Sequence, residues 1–153
     1  MIEERLTSKE LAGLEADFVK IANIENLIRR REIEIEWPYR EFKDENVGGS
    51  RSSISIDKAQ AVLEKKEKDN YLQRLYRLRD IKDQLLGNKE KQIVGCMTDQ
   101  QREIYKLRFE SDDYYDWLLV GELLEPKLKR AQIYRKRGKL LELLAKKEGI
   151  LPE

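Results

Sequence analysis

Apolar residues recur at helical spacing in the first part of the chain. After Ser8 they fall three or four positions apart, which places them on one face of an α-helix. Pro38 pushes the residue before it out of the α region, so the helix should end near Glu34. The pattern therefore predicts an N-terminal long helix within residues 1–37. Its stripe consists of Leu11, Leu14, Phe18, Ile21, Ile24 and Ile28.

A loop and a second long stripe come next. Asn46 to Ser53 contains a Gly pair and a Ser cluster, so we predict a connector over residues 38–56. Asp57 is suited to cap a middle long helix within 57–96, which a Gly stop at Gly87 ends. The second stripe consists of Tyr71, Leu75, Leu78, Ile81 and Leu85. Neither helix can cover its stripe alone, which predicts a helical hairpin or coiled coil, either within the chain or in a homodimer.

The remaining chain predicts shorter helices. Thr98 and Gln101 form a capping box that opens a helix at about 99–109. Asp112 or Asp113 can cap the helix after it. That helix presents an apolar face of Trp117, Val120, Leu123 and Leu124.

The last predicted helix is strongly basic. It runs from about Lys129 to Lys147, and Gly149 ends it. Its core face should consist of Ile133, Leu140, Leu141 and Leu144. Two helices joined by a short turn, of which the second is basic, are typical of a helix-turn-helix, which we assign to residues 97–149.

The composition supports an all-α fold and excludes much catalytic chemistry. Of 153 residues, 40% are hydrophobic and 40% are charged, with only 8 Gly and 3 Pro, which favours amphipathic helices. The chain has no His and one Cys, which excludes Ser-His-Asp and Cys-His sites, a multi-thiolate zinc site and an internal disulfide. We expect no catalytic residues, no metal and no cofactor. No apolar run reaches the length of a membrane span, so we expect a cytoplasmic protein with no membrane partner.

The net charge of +1 conceals blocks of opposite sign. Residues 98–125 carry eight acidic and three basic side chains, whereas residues 126–153 carry nine basic and three acidic ones. A basic segment can bind a polyanion although the whole chain is near neutral.

Two resemblances extend this interpretation. The segment from Thr98 to Phe109, which ends in Leu107-Arg108-Phe109, resembles the opening helix of sigma-factor region four. Together with Trp37-Pro38-Tyr39, the Asn46-Val47-Gly48-Gly49 element and a long middle helix, it makes the chain similar to phage regulators of the RinA and ArpU type. The resemblance implies a DNA-binding activator of phage late genes, with host RNA polymerase as a candidate partner. The chain departs from the pattern at Lys129, which cannot accept the hydrogen bond that caps a recognition helix.

The predicted double-stranded DNA contacts lie on the last helix, away from its core face. They are Arg130, Gln132, Tyr134, Arg135, Lys136 and Lys139. Arg pairs bidentately with guanine and Gln with adenine, while Lys neutralises phosphate, so the helix has groups for positioning and for reading. A solvated charged face is the alternative. The other function classes that fit are a helical scaffolding protein and the small DNA-packaging subunit of a phage terminase.

Other side chains favour structural interpretations. Arg29, Arg30 and Arg31 lie among acidic residues, so we expect local ion pairs rather than phosphate contacts. We expect Asp112, Asp113 and Asp116 to cap a helix rather than hold a cation. Trp37 and Trp117 are predicted core anchors, and Cys96 is predicted to be packed.

Overall fold

A computed structural model describes residues 6–37, 51–113 and 115–152, with the side chains of all of these except 51–57. Within these ranges the regular structure is helical and contains no strand beyond one isolated bridge between Asn88 and Ile93, which confirms the all-α class. A π-helical turn, Lys106–Glu110, directly continues α5. The α-helices are α1 (Ser8–Ala22), α2 (Ile24–Glu36), α3 (Arg51–Lys68), α4 (Asn70–Leu86), α5 (Asp99–Tyr105), α6 (Trp117–Leu123) and α7 (Arg130–Glu148).

Each of the two predicted long helices is divided in two. Asn23 separates α1 from α2, and Asp69 separates α3 from α4. At Asp69 the carboxylate Oδ2 accepts the N–H of Leu72 at 2.8 Å, the bond of a helix N-cap. After this cap Leu72 is buried and Tyr71 of the predicted stripe is exposed, whereas the other four residues of that stripe are buried as predicted. Apolar spacing thus marks the faces of these helices but does not show where capping groups divide them.

The helix starts and the connector differ in part from the prediction. Thr7, one residue before Ser8, caps α1, because its hydroxyl accepts the Glu10 N–H at 3.1 Å. Within the predicted connector, residues 38–50 lie outside the described residues, but α3 already begins at Arg51. The connector was therefore wrong over 51–56, and Asp57 lies inside a helix instead of capping one. Ser clusters favour helix starts as well as loops, so the Ser residues were an ambiguous signal.

The described chain forms two compact units. The first combines the chain up to Asn23 with the chain from Leu78 onwards, and the second spans Ile24–Arg77. In the first unit α1 packs against α7 and against the π-helical turn. The ring of Phe18 stacks on that of Phe109, with centroids 5.0 Å apart. The first half of the N-terminal stripe is therefore covered by the C-terminal helices, which the predicted segments had treated as a separate module.

The second unit joins α2 to α3 and to the start of α4 by polar contacts. Arg31 donates two hydrogen bonds to Asp69, from Nη2 at 2.6 Å and from Nε at 2.9 Å. Lys66 pairs with Glu36 at 2.6 Å. Arg31 also lies 3.0 Å from Glu34, so the predicted local ion pairing is confirmed for this arginine. The buried apolar side chains of this unit include Ile24, Ile28, Ile35, Leu72 and Leu75.

Two predictions about single side chains were wrong. Trp37 is 61% exposed, because α2 ends at Glu36 and Trp37 lies beyond its packed face, whereas Trp117 is buried as predicted. Cys96 is exposed, and its neighbour Met97 is buried in its place. Among the described helices, none is both long enough and apolar enough to span a membrane.

Candidate nucleic-acid interface

The candidate interface is built on α6, the connection 124–129 and α7. Asp116 caps α6, since its Oδ1 accepts the N–H of Leu119 at 2.9 Å. The predicted caps Asp112 and Asp113 were wrong because the helix begins later, at Trp117. Of the predicted apolar face, Trp117, Val120 and Leu124 are buried, but Leu123 is exposed.

A glycine lets the connection lie close to α6. Gly121 O accepts the N–H of Leu128 at 2.9 Å. A Cβ at position 121 would lie 2.8 Å from Leu128 O and 3.2 Å from the Cβ of Ile133. Any side chain at this position would push the connection and α7 away from α6. A Gly within an apolar helical segment was the available sequence signal, because such a residue needs a packing reason.

The helix α7 has two dissimilar halves. In the first half, which we define as residues 130–137, Ile133 is the buried residue, and the second half is 138–148. In the second half, buried residues follow one another closely and occupy more than one face of the helix. Gly149 ends the helix in a left-handed conformation, as predicted, with φ 84°. The helix is therefore anchored by its C-terminal half and presents its N-terminal half. The buried residues of the second half are Gly138, Leu140, Leu141, Glu142, Leu144 and Ala145.

All six predicted contact residues lie on α7, with most of them near its start. Lys136 is half-buried, and the other five are exposed. The guanidinium of Arg130 lies over the ring of Tyr134, 6.0 Å from its centroid. Arg135 and Lys139 lie one turn apart on the exposed side. The predicted contact residues are Arg130, Gln132, Tyr134, Arg135, Lys136 and Lys139.

Gln132 also has a local structural role. Its Oε1 accepts the backbone N–H of Lys129 at 2.9 Å. This is the reciprocal half of a capping box, and it supports the start of α7 although Lys129 offers no side-chain acceptor. Lys129 does not supply the expected side-chain cap, but the hydrogen bond to Gln132 supports the start of α7 from within the helix. Gln132 both stabilises α7 and presents an amide on the exposed surface.

One carboxylate on α1 fixes the elements around α7. Glu15 Oε2 accepts from Arg137 twice, at 2.9 Å from Nε and 2.6 Å from Nη2. Its Oε1 accepts from Trp117 Nε1 at 3.1 Å and from Arg108 Nη2 at 3.3 Å. The side chain of Glu15 is only 19% exposed, so these contacts are partly shielded from water. Arg137 is accordingly turned towards α1, in contrast to the exposed Arg135.

The Leu107-Arg108-Phe109 motif has a structural role in this arrangement. The π-helical turn places both Arg108 and Phe109 against other elements of the first unit. Arg108 Nη1 donates to Tyr115 O at 3.1 Å, and the Phe109 ring meets that of Trp117 edge-on at 6.0 Å. Sequence reasoning missed Glu15, which lies beside Leu14 of the stripe and carries no motif of its own.

The aspartates before α6 have local structural contacts. Within the described ranges, no group of three His, Cys, Asp or Glu side chains is placed to hold a metal ion. Asp113 Oδ2 accepts a hydrogen bond from the Tyr115 hydroxyl, with 3.0 Å between the oxygen atoms, and Asp116 caps α6. The Asn46-Val47-Gly48-Gly49 element lies outside the described residues.

Comparisons with family models, with curated proteins and with solved structures give no match to this chain. The resemblance to sigma-factor region four and to RinA and ArpU regulators therefore stays a prediction.

Proposed function

We propose that the protein binds double-stranded DNA through the first half of α7 together with the adjoining Lys139, and regulates transcription by doing so. One observation carries the proposal: the exposed half of α7 is basic, while its other half is anchored in the core of the first unit. In helix-turn-helix proteins the N-terminal residues of the second helix contact base edges. The half of α7 that is exposed is the half that such docking requires.

The exposed side chains divide into two chemical groups. Arg135 can pair bidentately with guanine O6 and N7, and the Gln132 amide can face adenine. Lys136 and Lys139 can neutralise phosphates, which fixes orientation without reading sequence. In this proposal the protein acts by binding alone. On the resemblance, the genes it controls are phage late genes, and host RNA polymerase is a partner.

Anisotropy titration of labelled phage DNA fragments at several salt concentrations tests the proposal. We expect Lys139→Ala to lower the slope of log K against log salt by about one unit, because one phosphate contact fewer releases fewer counterions. Arg135→Ala should cost about 1–3 kcal/mol on the preferred site and relax the preference among sequences. Lys89→Ala, an exposed lysine outside α7, is the matched control.

Two outcomes would overturn the proposal. Either wild-type binding shows no salt dependence, or the α7 variants bind as the wild type does. A mass measurement by light scattering, made alongside, separates a regulator from the terminase alternative. A packaging subunit should form a ring, whereas a regulator should be a monomer or dimer.

A further inference from the structure

The outer face of α6 is apolar although the helix belongs to a heavily charged chain. Leu118, Leu119 and Leu123 are 42%, 38% and 48% exposed. At 100° per residue these three leucines and Glu122 lie within one continuous arc, opposite the buried Val120 and Gly121. We call these four residues the α6 patch.

Exposed carboxylates lie within the α6 patch and at both ends of its helix. Glu122 lies within it, and the segment 98–125 that contains it carries eight acidic and three basic residues. Of those three, Arg108 is engaged with Glu15 and Arg102 lies 3.8 Å from Asp99. Asp116 and Glu125 flank the two ends of the helix and are exposed. The patch thus combines exposed apolar area with a surplus of carboxylates, which DNA phosphates would repel.

We propose that the α6 patch docks a cationic amphipathic helix of a partner protein. Apolar side chains of such a helix would cover the leucines, and its Lys or Arg residues would face Glu122 and the flanking carboxylates. A second copy of this chain fits less well, because a two-fold contact through the patch would set Glu122 against its own equivalent. The proposal stands independently of DNA binding by α7.

A designed peptide probe tests the proposal with the full chain. The probe is a labelled helical peptide of Leu and Lys at amphipathic spacing, and its partner probe carries Glu in place of every Lys. We expect the Lys peptide to bind in a salt-dependent manner and the Glu peptide not to bind. Leu118→Ala with Leu123→Ala should weaken the Lys peptide by about tenfold or more, because two half-exposed leucines no longer become buried.

Two further variants keep the test decisive. Glu122→Lys leaves the apolar area unchanged and alters no core side chain, and it should weaken the Lys peptide and remove part of its salt dependence. Val94→Ala is the matched control, since Val94 is 91% exposed and lies in the same unit but outside α6. It should bind the Lys peptide as the wild type does.

The outcomes separate the alternatives. Equal binding by the wild type and by the α6 variants, or no binding of the Lys peptide, would overturn the proposal. If the double variant Leu118→Ala with Leu123→Ala has a lower mass in solution than the wild type, the patch is an interface between two copies of this chain. That outcome would also overturn the proposal. DNA titrations of Leu118→Ala with Leu123→Ala, which changes no charge, should match the wild type, so failure here is distinguishable from failure of the DNA-binding proposal.

Discussion

Each of the two compact units has its own internal contacts, and the best-defined contacts differ in kind between the units. In the first unit, aromatic rings of Phe18, Tyr105, Phe109 and Trp117 pack together around buried aliphatic side chains, and Glu15 adds hydrogen bonds across four elements. In the second, the bidentate pair of Arg31 with Asp69 connects α2 to the start of α4. Packed rings and shielded pairs tolerate truncation poorly, whereas ion pairs near the surface contribute little. The difference predicts that single changes in the aromatic cluster or at Glu15 cost more stability than a change in the Arg31–Asp69 pair.

The largest effect is expected when α1 is removed from the first unit. A chain that lacks residues 1–23 loses Leu14, Phe18 and Ile21 from the core. Each such loss costs about 2–5 kcal/mol, and together they approach the whole stability of a typical domain. We expect Trp117 to lose its near-UV circular dichroism and its cooperative unfolding transition.

The full-length chain with Trp37→Phe is the reference for this experiment, since it leaves Trp117 as the single tryptophan and alters an exposed residue. The truncated chain carries the same substitution. A truncated chain that unfolds as sharply as this reference would contradict the role of α1 and restore the C-terminal helices as an independent module.

The second prediction concerns Glu15. Glu15→Ala leaves Arg137, Arg108 and the Trp117 N–H without their shared acceptor, and we expect the free energy of unfolding to fall by about 2–3 kcal/mol, somewhat less than for a fully buried pair. Glu15→Gln keeps one acceptor oxygen and should lose less. In a double-mutant cycle with Arg137→Ala, denaturant unfolding should give a coupling energy of about 1 kcal/mol or more. Additive effects would show that the two side chains do not stabilise one another.

Much of the fold was accessible from the sequence, because it depends on local chemistry. The capping box of Thr98 and Gln101, the Gly149 stop and the core face of α7 are all as predicted. Each of these features involves residues within a few positions of one another, so spacing and side-chain type suffice.

The remaining features depend on contacts between distant parts of the chain. Glu15 contacts Arg137, which lies 122 positions away in the sequence. Phe18 stacks on Phe109, which is also distant in the sequence. Apolar residues at helical spacing predict that one face of a helix is buried, but they do not identify the element that covers it. The first stripe was therefore assigned to a hairpin or a dimer. The α6 patch could not be predicted because Leu123 fits the apolar spacing of a buried face although it is exposed.

The third prediction separates the capping role of Gln132 from its proposed role in DNA binding. Gln132→Ala removes the acceptor of the Lys129 N–H and should lower the free energy of unfolding by about 1 kcal/mol. Gln132→Glu keeps an acceptor there and places negative charge at a helix N-terminus, so it should restore stability while weakening DNA binding. Arg135→Ala, a change with no capping role, should leave thermal unfolding unchanged. Equal loss of stability in the Ala and Glu variants would contradict the capping role.

The smallest effect is expected in the second unit, at the pair of Arg31 with Asp69. Hydrogen bonds from Arg31, followed by the bond from the Leu72 N–H, hold the pKa of Asp69 below its ordinary value against the opposing effect of desolvation. Because the pKa is lowered in the folded state, the stabilisation is complete above the unfolded value of about 3.9 and is lost as the pH falls through the folded value. Asp69→Asn keeps an N-cap acceptor and removes the charge.

This variant therefore isolates the ion pair, whose contribution we expect to be below about 1 kcal/mol because the Arg31 side chain is 33% exposed. Urea unfolding at pH 7 should show the small difference between Asp69→Asn and the wild type. At pH 2 the wild-type carboxylate is protonated to a greater extent than at pH 7, and the difference should shrink. A difference that stays constant between the two pH values would mean that the amide disturbs the cap of α4, and that the charge of Asp69 adds nothing to the second unit.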